Sequence, residues 1–246
     1  MDIRVFPAAA DLARHAAASF VTHAASAIDA RGRFSVALSG GSTPRLVFRL
    51  IANEEFARRV NWSATHIFWG DERCVPPDHA DSNYRLARET LLAPLGIAES
   101  NIHRMEGELP PAEAAARYDA RLRAFFGNAP PRFDLIHLGL GEDGHTASLF
   151  PGTAALAETE AKVVANEVPR LQATRITFTA PLINAARAVE FFVTGSAKAG
   201  VLREVLVGNN QAPYPSRMIR PTQGTLTWLV TADAAAQLPT ELIRHA

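Results

Sequence analysis

The sequence is poor in cysteine: Cys74 stands alone among 246 residues. A lone thiol excludes an intramolecular disulfide and any thiolate-held metal cluster, and it is compatible with a reducing compartment. The chain also lacks an excess of charge of either sign, since 25 Lys and Arg balance 25 Asp and Glu. No overall field draws in nucleic acid or an anionic membrane, although a local basic site for a small anion is compatible with that balance. Long hydrophobic runs are missing too. Nothing approaches the roughly 18–20 uninterrupted apolar residues of a membrane span. The opening stretch MDIRVFPAAADLARHAAASF carries charge where a signal peptide has its apolar core. A cytoplasmic protein without a membrane or nucleic-acid partner is expected. There are no repeats and no low-complexity linker, which suits a single α/β domain over 1–246. His15, His23, His79, His103 and His245 show no metal-ligand spacing, so neither a metal nor a cofactor is expected.

What is present points to a globule with a large core: 48% of residues are hydrophobic and 20% charged. Alanine-rich patches at 8–30 and 112–124 predict helices, because alanine costs least there. In the first, Leu12, Ala16, Phe20, Ala24 and Ile28 recur every four residues, the stripe of an amphipathic helix. Short apolar or β-branched runs predict strands at 34–38, 65–70, 134–140, 162–168, 175–180, 189–195 and 226–231. Helical segments fit at 45–53, 82–92, 112–126 and 197–207. This alternation predicts an α/β fold: a mostly parallel, doubly wound, Rossmann-like sheet with helices on both faces, with room for a small secondary subdomain. FSVAL, with almost no polar position, suits a strand covered on both faces. His66, His137, Trp62, Trp69 and Trp228 are expected in the core or on sheet faces.

Open α/β sheets bind ligands beyond the carboxyl ends of their strands, so the residues just after each strand are the ones to search. LSGGSTP follows the first. Gly40 and Gly41 permit a sharp turn, Ser42 or Thr43 can cap the next helix, and Pro44 suits its first position. Such a turn gathers N–H groups into an anion site, though it has neither the spacing of a P-loop nor that of a dinucleotide fingerprint; a well-capped tight turn is the plainer alternative. GDERC follows the second. Asp71 and Arg73 leave a buried strand together with Glu72, and Arg73 is either a forked donor to phosphate or part of a surface ion pair. Downstream, Asp81 or Ser82 can cap a helix whose Asn83 and Arg88 face the same cleft. LGLGEDGHTASLFPG follows the next strong strand. Asp143 and His145 lie between glycines ahead of a short helical stretch, TASLF. A histidine is the commonest proton carrier at neutral pH, and an aspartate two residues away can orient it or bind a substrate hydroxyl. FFVTGSAKAG repeats the design: Ser196 can cap a helix with Lys198 in its first turn, against the helix dipole unless an anion sits there; otherwise Lys198 points to solvent.

Taken jointly and in order, LSGGSTP, FWGDERCVPPDHADSN, LGLGEDGHTASLFPG and FFVTGSAKAGVLREVL resemble the 6-phosphogluconolactonases, over a span from about Val5 to Ala232. SGGSTP and the D-G-H turn are shared with glucosamine-6-phosphate deaminases. Those enzymes carry Asp-Glu-Tyr where this chain has Asp71-Glu72-Arg73, and a glutamate where it has Phe150. The resemblance implies hydrolysis of 6-phospho-D-glucono-1,5-lactone to 6-phosphogluconate. His145 is expected as base and Asp143 as its partner. Gly40, Gly41, Ser42, Thr43, Asp71, Arg73, Asn83 and Lys198 are expected to hold the sugar phosphate, with no metal or cofactor. A monomer or weak homodimer is expected. The alternatives are a deaminase or aldose–ketose isomerase, and a non-catalytic phosphosugar sensor.

Overall fold

The computed structural model describes residues 1–127, 129–208 and 214–245. Its main sheet has seven strands: β1 (Asp2–Phe6), β2 (Phe34–Leu38), β3 (Thr65–Trp69), β5 (Leu135–Gly139), β8 (Ala188–Val193), β9 (Thr225–Thr231) and the two-residue β10 (Arg244–His245). They lie in the order β10-β1-β9-β8-β5-β2-β3, and every neighbouring pair is parallel. From β2 the chain runs to β3 on one side and then crosses back to β5 on the other, so the connections part between β2 and β5 and open a crevice at the carboxyl ends of these strands.

A second sheet of three strands holds β4 (Asp71–Arg73), β7 (Ala173–Phe178) and β6 (Val163–Val168), in the order β4-β7-β6 and wholly antiparallel. The runs at 162–168 and 175–180 therefore leave the main sheet. The reason is connection length: only residues 169–172 separate β6 from β7, enough for a hairpin but far too few for a parallel crossover. β1, β4 and β10 are strands that periodicity did not reveal: β4 and β10 have only three and two residues, and β1, DIRVF, alternates with charged positions beside the N-terminus.

Helix α1 (Ala9–Arg31) opens where the Asp11 carboxylate accepts the Ala8 N–H at 3.1 Å and ends where Gly32, at φ +72°, takes the left-handed conformation. Leu12, Ala13, Ala16, Ala17, Phe20, Val21, Ala24 and Ala27 form its buried stripe; the alanines let it lie close to the sheet. With α2 (Ser42–Ile51) it covers one face, where Phe20, Phe34, Val36, Phe48 and Trp69 pack. The other face packs Phe133, Phe178, Phe191 and Trp228 under the helix Pro111–Phe126. Burying each such side chain stabilises the fold by about 1.5–3 kcal/mol. Tyr118, on that helix, is 2% exposed; its hydroxyl donates to the His103 carbonyl at 2.8 Å and accepts the Trp69 N–H at 3.0 Å, tying helix to strand end. His137 is fully buried in β5, while His66 and Trp62 are half-buried at the edge of the sheet.

Candidate active site

At the carboxyl ends of the main strands a cavity of about 240 Å³ opens. β2 contributes Ser39 and Gly40, β3 leads to Asp71 and Arg73, β5 runs into Gly139, Leu140, Gly141, His145 and Ala147, and β8 leads to Lys198; Asn83 completes the wall. A larger cavity, about 750 Å³, lies at the opposite ends of the strands around Arg4, His15 and Glu190. It contains none of the strand-end loops, and crevices of this fold bind at the carboxyl ends, so the smaller cavity is the candidate site.

The loop after β5 is built around its histidine. The Gly141 N–H donates to the His145 carbonyl at 2.9 Å, closing the turn on itself. Gly144 sits at φ +75°, with Tyr214 where a side chain would go. A Cβ on Gly141 would stand 2.0 Å from His145 Nδ1, so only glycine lets the imidazole fold back. His145 Nδ1 and Asp143 Oδ1 are 2.5 Å apart, and the His145 backbone N–H reaches the same oxygen at 3.3 Å. A carboxylate at that distance makes Nδ1 the protonated nitrogen and leaves Nε2 with the lone pair. Burial alone would raise the Asp143 carboxyl. The hydrogen bond and charge of His145, the backbone N–H and the Arg170 cation outweigh it and hold the group below the ordinary aspartate range. Phe150, 4% exposed, stacks on the imidazole with centroids 4.1 Å apart.

TASLF is not helical. Ala147 takes φ +46° and Thr146 bridges Leu149, so the segment is a tight turn. The Thr146 hydroxyl donates to the Gly139 carbonyl at 2.8 Å, which competes with helix formation. The turn aims Ser148 at Asp71: the Ser148 hydroxyl donates to Asp71 Oδ2 at 2.7 Å. Asn83 Nδ2 donates to the Asp71 carbonyl at 3.0 Å, and its side chain fills the space where a Gly40 Cβ would stand. Glu72, 3% exposed, faces away from the cavity and accepts the backbone N–H groups of Arg73, Asn83 and Tyr84 together with the Ser82 hydroxyl. Its carboxyl is raised by burial against the pull of those N–H groups. It pins the helix Asn83–Ala87, which Ser82 caps through the Arg85 N–H at 3.1 Å.

Not every residue expected at the site reaches it. Gly40, Asp71, Arg73, Asn83, His145 and Lys198 line the cavity; Gly41, Ser42, Thr43, Asp143 and Arg88 do not. Gly41, at φ +110°, is the N-cap of α2, displacing Ser42 and Thr43 from that role and Pro44 from the first helical position. Ser42 is exposed, and Thr43 is buried with its hydroxyl 2.8 Å from that of Thr194. The first intrahelical bond of α2 runs from the Arg45 N–H to Gly41, so the Ser42 and Thr43 amides precede the ladder. Ser196 likewise makes no cap hydrogen bond; Gly195 precedes the helical turn. The Arg73 guanidinium donates to the Asp81 carbonyl at 2.6 Å, and Lys198 Nζ lies 3.7 Å from the exposed carboxylate of Glu142. Ser39, Ser148, Ala147 and Arg170 were not anticipated. Ser148 lies inside a recognised segment, but nothing in its spacing aims it at Asp71, and Arg170 is a polar residue between two strands with no sequence mark. Among the described residues no group of three or more His, Cys, Asp or Glu side chains is placed to hold a metal ion.

A parallel α/β sheet with a His–Asp pair and two cations around one strand-end crevice defines a class, and sequence comparison places the chain within it. A model of the glucosamine-6-phosphate isomerases/6-phosphogluconolactonase family matches residues 7–228. The chain is 44% identical over 217 residues to a 6-phosphogluconolactonase of Nostoc sp., across 86% of this chain and 88% of that protein. It is 41% identical over 223 residues to 6-phosphogluconolactonase of Homo sapiens, across 88% and 85%. The solved structure of 6-phosphogluconolactonase from Trypanosoma cruzi superposes with a TM-score of 0.86 at 30% identity, over 96% of each chain. A monomeric glucosamine-6-phosphate deaminase shares the fold, with a TM-score of 0.79 at 18% identity. The chain belongs to the glucosamine-6-phosphate isomerase/6-phosphogluconolactonase family.

Proposed function

We propose that this protein is an enzyme that hydrolyses 6-phospho-D-glucono-1,5-lactone to 6-phosphogluconate, the activity its relatives are named for. The observation that carries the reading is the placement of His145, with Asp143 on its Nδ1, in the wall of the same cavity as Arg73 and Lys198. Arg73 and Lys198 hold the phosphate, assisted by the amides at the start of α2, and the sugar spans from there to the imidazole. Holding the phosphate orients the lactone carbon against a water on Nε2. His145 takes a proton from that water as its oxygen bonds to the carbonyl carbon, and negative charge collects on the carbonyl oxygen. When this intermediate collapses, the bond to the ring oxygen breaks and the imidazolium returns the proton to it. The product is the open-chain acid, and His145 is again neutral. Asp143 keeps Nδ1 protonated throughout and offsets the charge of the imidazolium. The developing oxyanion needs donors. The amides of Gly141 and Gly144 are already committed to the His145 and Gly141 carbonyls, so the candidate donors are the other N–H groups of that loop, Glu142 and Asp143, and the Gly40–Gly41 turn. Asp71 and Asn83, fixed to each other and to Ser148, face the sugar hydroxyls.

Phe150 favours lactone hydrolysis over deamination. It puts an apolar ring on the imidazole where the deaminases carry a glutamate. A monomer or weak homodimer is part of this proposal. No helix among the described residues is long and apolar enough to cross a membrane, and the reaction is assigned to the cytoplasm without nucleic-acid or membrane partners. The test is direct. The lactone is generated in situ with glucose-6-phosphate dehydrogenase and its decay is recorded with and without the protein. Accelerated decay, with no ammonia released from glucosamine 6-phosphate, is expected. Unaltered decay alongside tight binding of 6-phosphogluconate indicates a sensor instead.

A further inference from the structure

The hairpin that joins β6 to β7 turns through Pro169–Leu171 and Gln172, the latter at φ +47°. Its tip carries Arg170 back over the loop after β5. The Arg170 guanidinium forms an ion pair with Asp143 Oδ2, and its Cζ lies 5.0 Å from the centroid of the Phe150 ring. Phe150 is the ring stacked on His145. Four side chains thus form a closed circuit: Arg170 to Asp143, Asp143 to His145, His145 to Phe150, and Phe150 back to Arg170. Within it the two oxygens of Asp143 are unequal. Oδ1 accepts both N–H groups of His145. Oδ2 is shut off from solvent and makes no aligned hydrogen bond, so the Arg170 cation is its only close partner among the described residues. A buried carboxylate oxygen without a partner is costly, and the carboxylate of an aspartate otherwise turns freely about its broad terminal torsion.

We propose that Arg170 is a positioning residue for the reaction: it locks Asp143 with Oδ1 on His145 and, through Phe150, holds the plane of the imidazole. Its kinetic consequence rests on the hydrolase reading above; its geometric consequence does not. Arg170 lies outside the cavity lining, so it does not hold substrate. Its side chain is 52% exposed, and a solvent-screened ion pair adds little to stability. A planar guanidinium can pair with the carboxylate and lie against Phe150 together, whereas an ammonium can only pair.

Three single variants, one double variant and two readouts test this. Arg170→Met is expected to lower kcat about 10-fold or more, with KM changed less than about twofold and the melting temperature nearly unchanged. Arg170→Lys, which keeps the ion pair but not the contact with Phe150, is expected to recover part of the loss. Phe150→Leu is expected to lower kcat in the same way without adding to the loss in the double variant. The second readout is independent of turnover. In protein labelled with ¹⁵N-histidine, the Nδ1 proton of His145 is expected far downfield in the parent and shifted or lost to exchange in Arg170→Met. An unchanged proton signal overturns the proposal, whether or not the parent protein hydrolyses the lactone. So does a kcat loss matched by a fall in melting temperature and unrelieved by lysine, which makes Arg170 merely structural. If the parent does not accelerate lactone decay while the proton signal moves as described, the substrate assignment fails and the positioning role stands.

Discussion

His145 and Arg73 are asked to do different things, and kinetics separates them. A general base acts only while the proton moves, so His145→Ala is expected to lower kcat by about 10²–10⁴-fold with KM little altered. A variant with parental kcat removes the imidazole from the reaction. On the proposed reading Arg73 binds the phosphate, remote from the reacting carbon. Losing one charge-assisted contact of about 1.5–3 kcal/mol predicts that Arg73→Ala raises KM about 10-fold or more, with a smaller effect on kcat. An unaltered KM places the phosphate elsewhere. Both side chains were legible in the sequence, because each stands immediately after a strong apolar run. Arg170 and Ser148 were not: their importance lies in what they touch, and their partners are 27 and 77 positions away, at Asp143 and Asp71.

At the scale of elements, the site depends on glycines that remove side chains from crowded places. The Gly141 Cβ position is occupied by His145 Nδ1 at 2.0 Å and Asp143 Oδ1 at 2.7 Å, both parts of the pair that must keep its geometry. Gly141→Ala is therefore expected to push the pair apart and lower kcat about 10²-fold, the cost of misplacing a catalytic group by about 1 Å. A normal kcat, with the Nδ1 proton signal intact, would show that the turn relaxes without consequence. The three-stranded antiparallel sheet belongs at this scale as well. β4 brings Asp71 and Arg73 to the cavity, and the β6–β7 hairpin brings Arg170 to Asp143. The sequence allowed for such a subdomain but did not show that it reaches the site. The short link at 169–172 excludes a parallel crossover, yet which edge its hairpin covers is settled only by packing.

Across the whole molecule, the buried His137 and Glu190 and the half-buried His103 couple stability to pH through large shifts. His137 is held down to about 3 and His103 to about 4 by burial, with a neighbouring histidine adding to each. Both are neutral in the fold and protonate in the unfolded chain. Their contribution to stability is present above the ordinary histidine range near 6.5 and is lost as pH falls through 4 and then 3. Glu190 behaves oppositely. Burial raises its carboxyl to about 7, although the Ser19 hydroxyl donates to it at 2.5 Å. His23 and His137 face it at 3.9 and 3.8 Å. Its contribution is full below the ordinary value of 4.5 and is lost as pH rises through about 7. Glu190→Gln is therefore expected to gain stability relative to the parent as pH rises from 5 to 8, by on the order of 3 kcal/mol for a shift of this size. Parallel melting curves of the two proteins across that range would contradict the assignment.

Local pattern in the chain dictates the alternation of strand and helix and marks the loops that line the crevice. Apolar periodicity and the residues that follow each buried run are local properties of the chain. FSVAL became β2 over the same five residues, and the four strand-end segments met at one crevice because parallel strands finish on the same side of a sheet. Packing between distant segments sets which side chains meet on one carboxylate: Ser148 and Asn83 on the two oxygens of Asp71, His145 and Arg170 on the two oxygens of Asp143. It also sets Gly41 rather than Ser42 as the N-cap of α2 and turns Thr43 inward to Thr194. Those outcomes depend on contacts between segments far apart in the chain, where burial and close approach override any preference a residue has on its own.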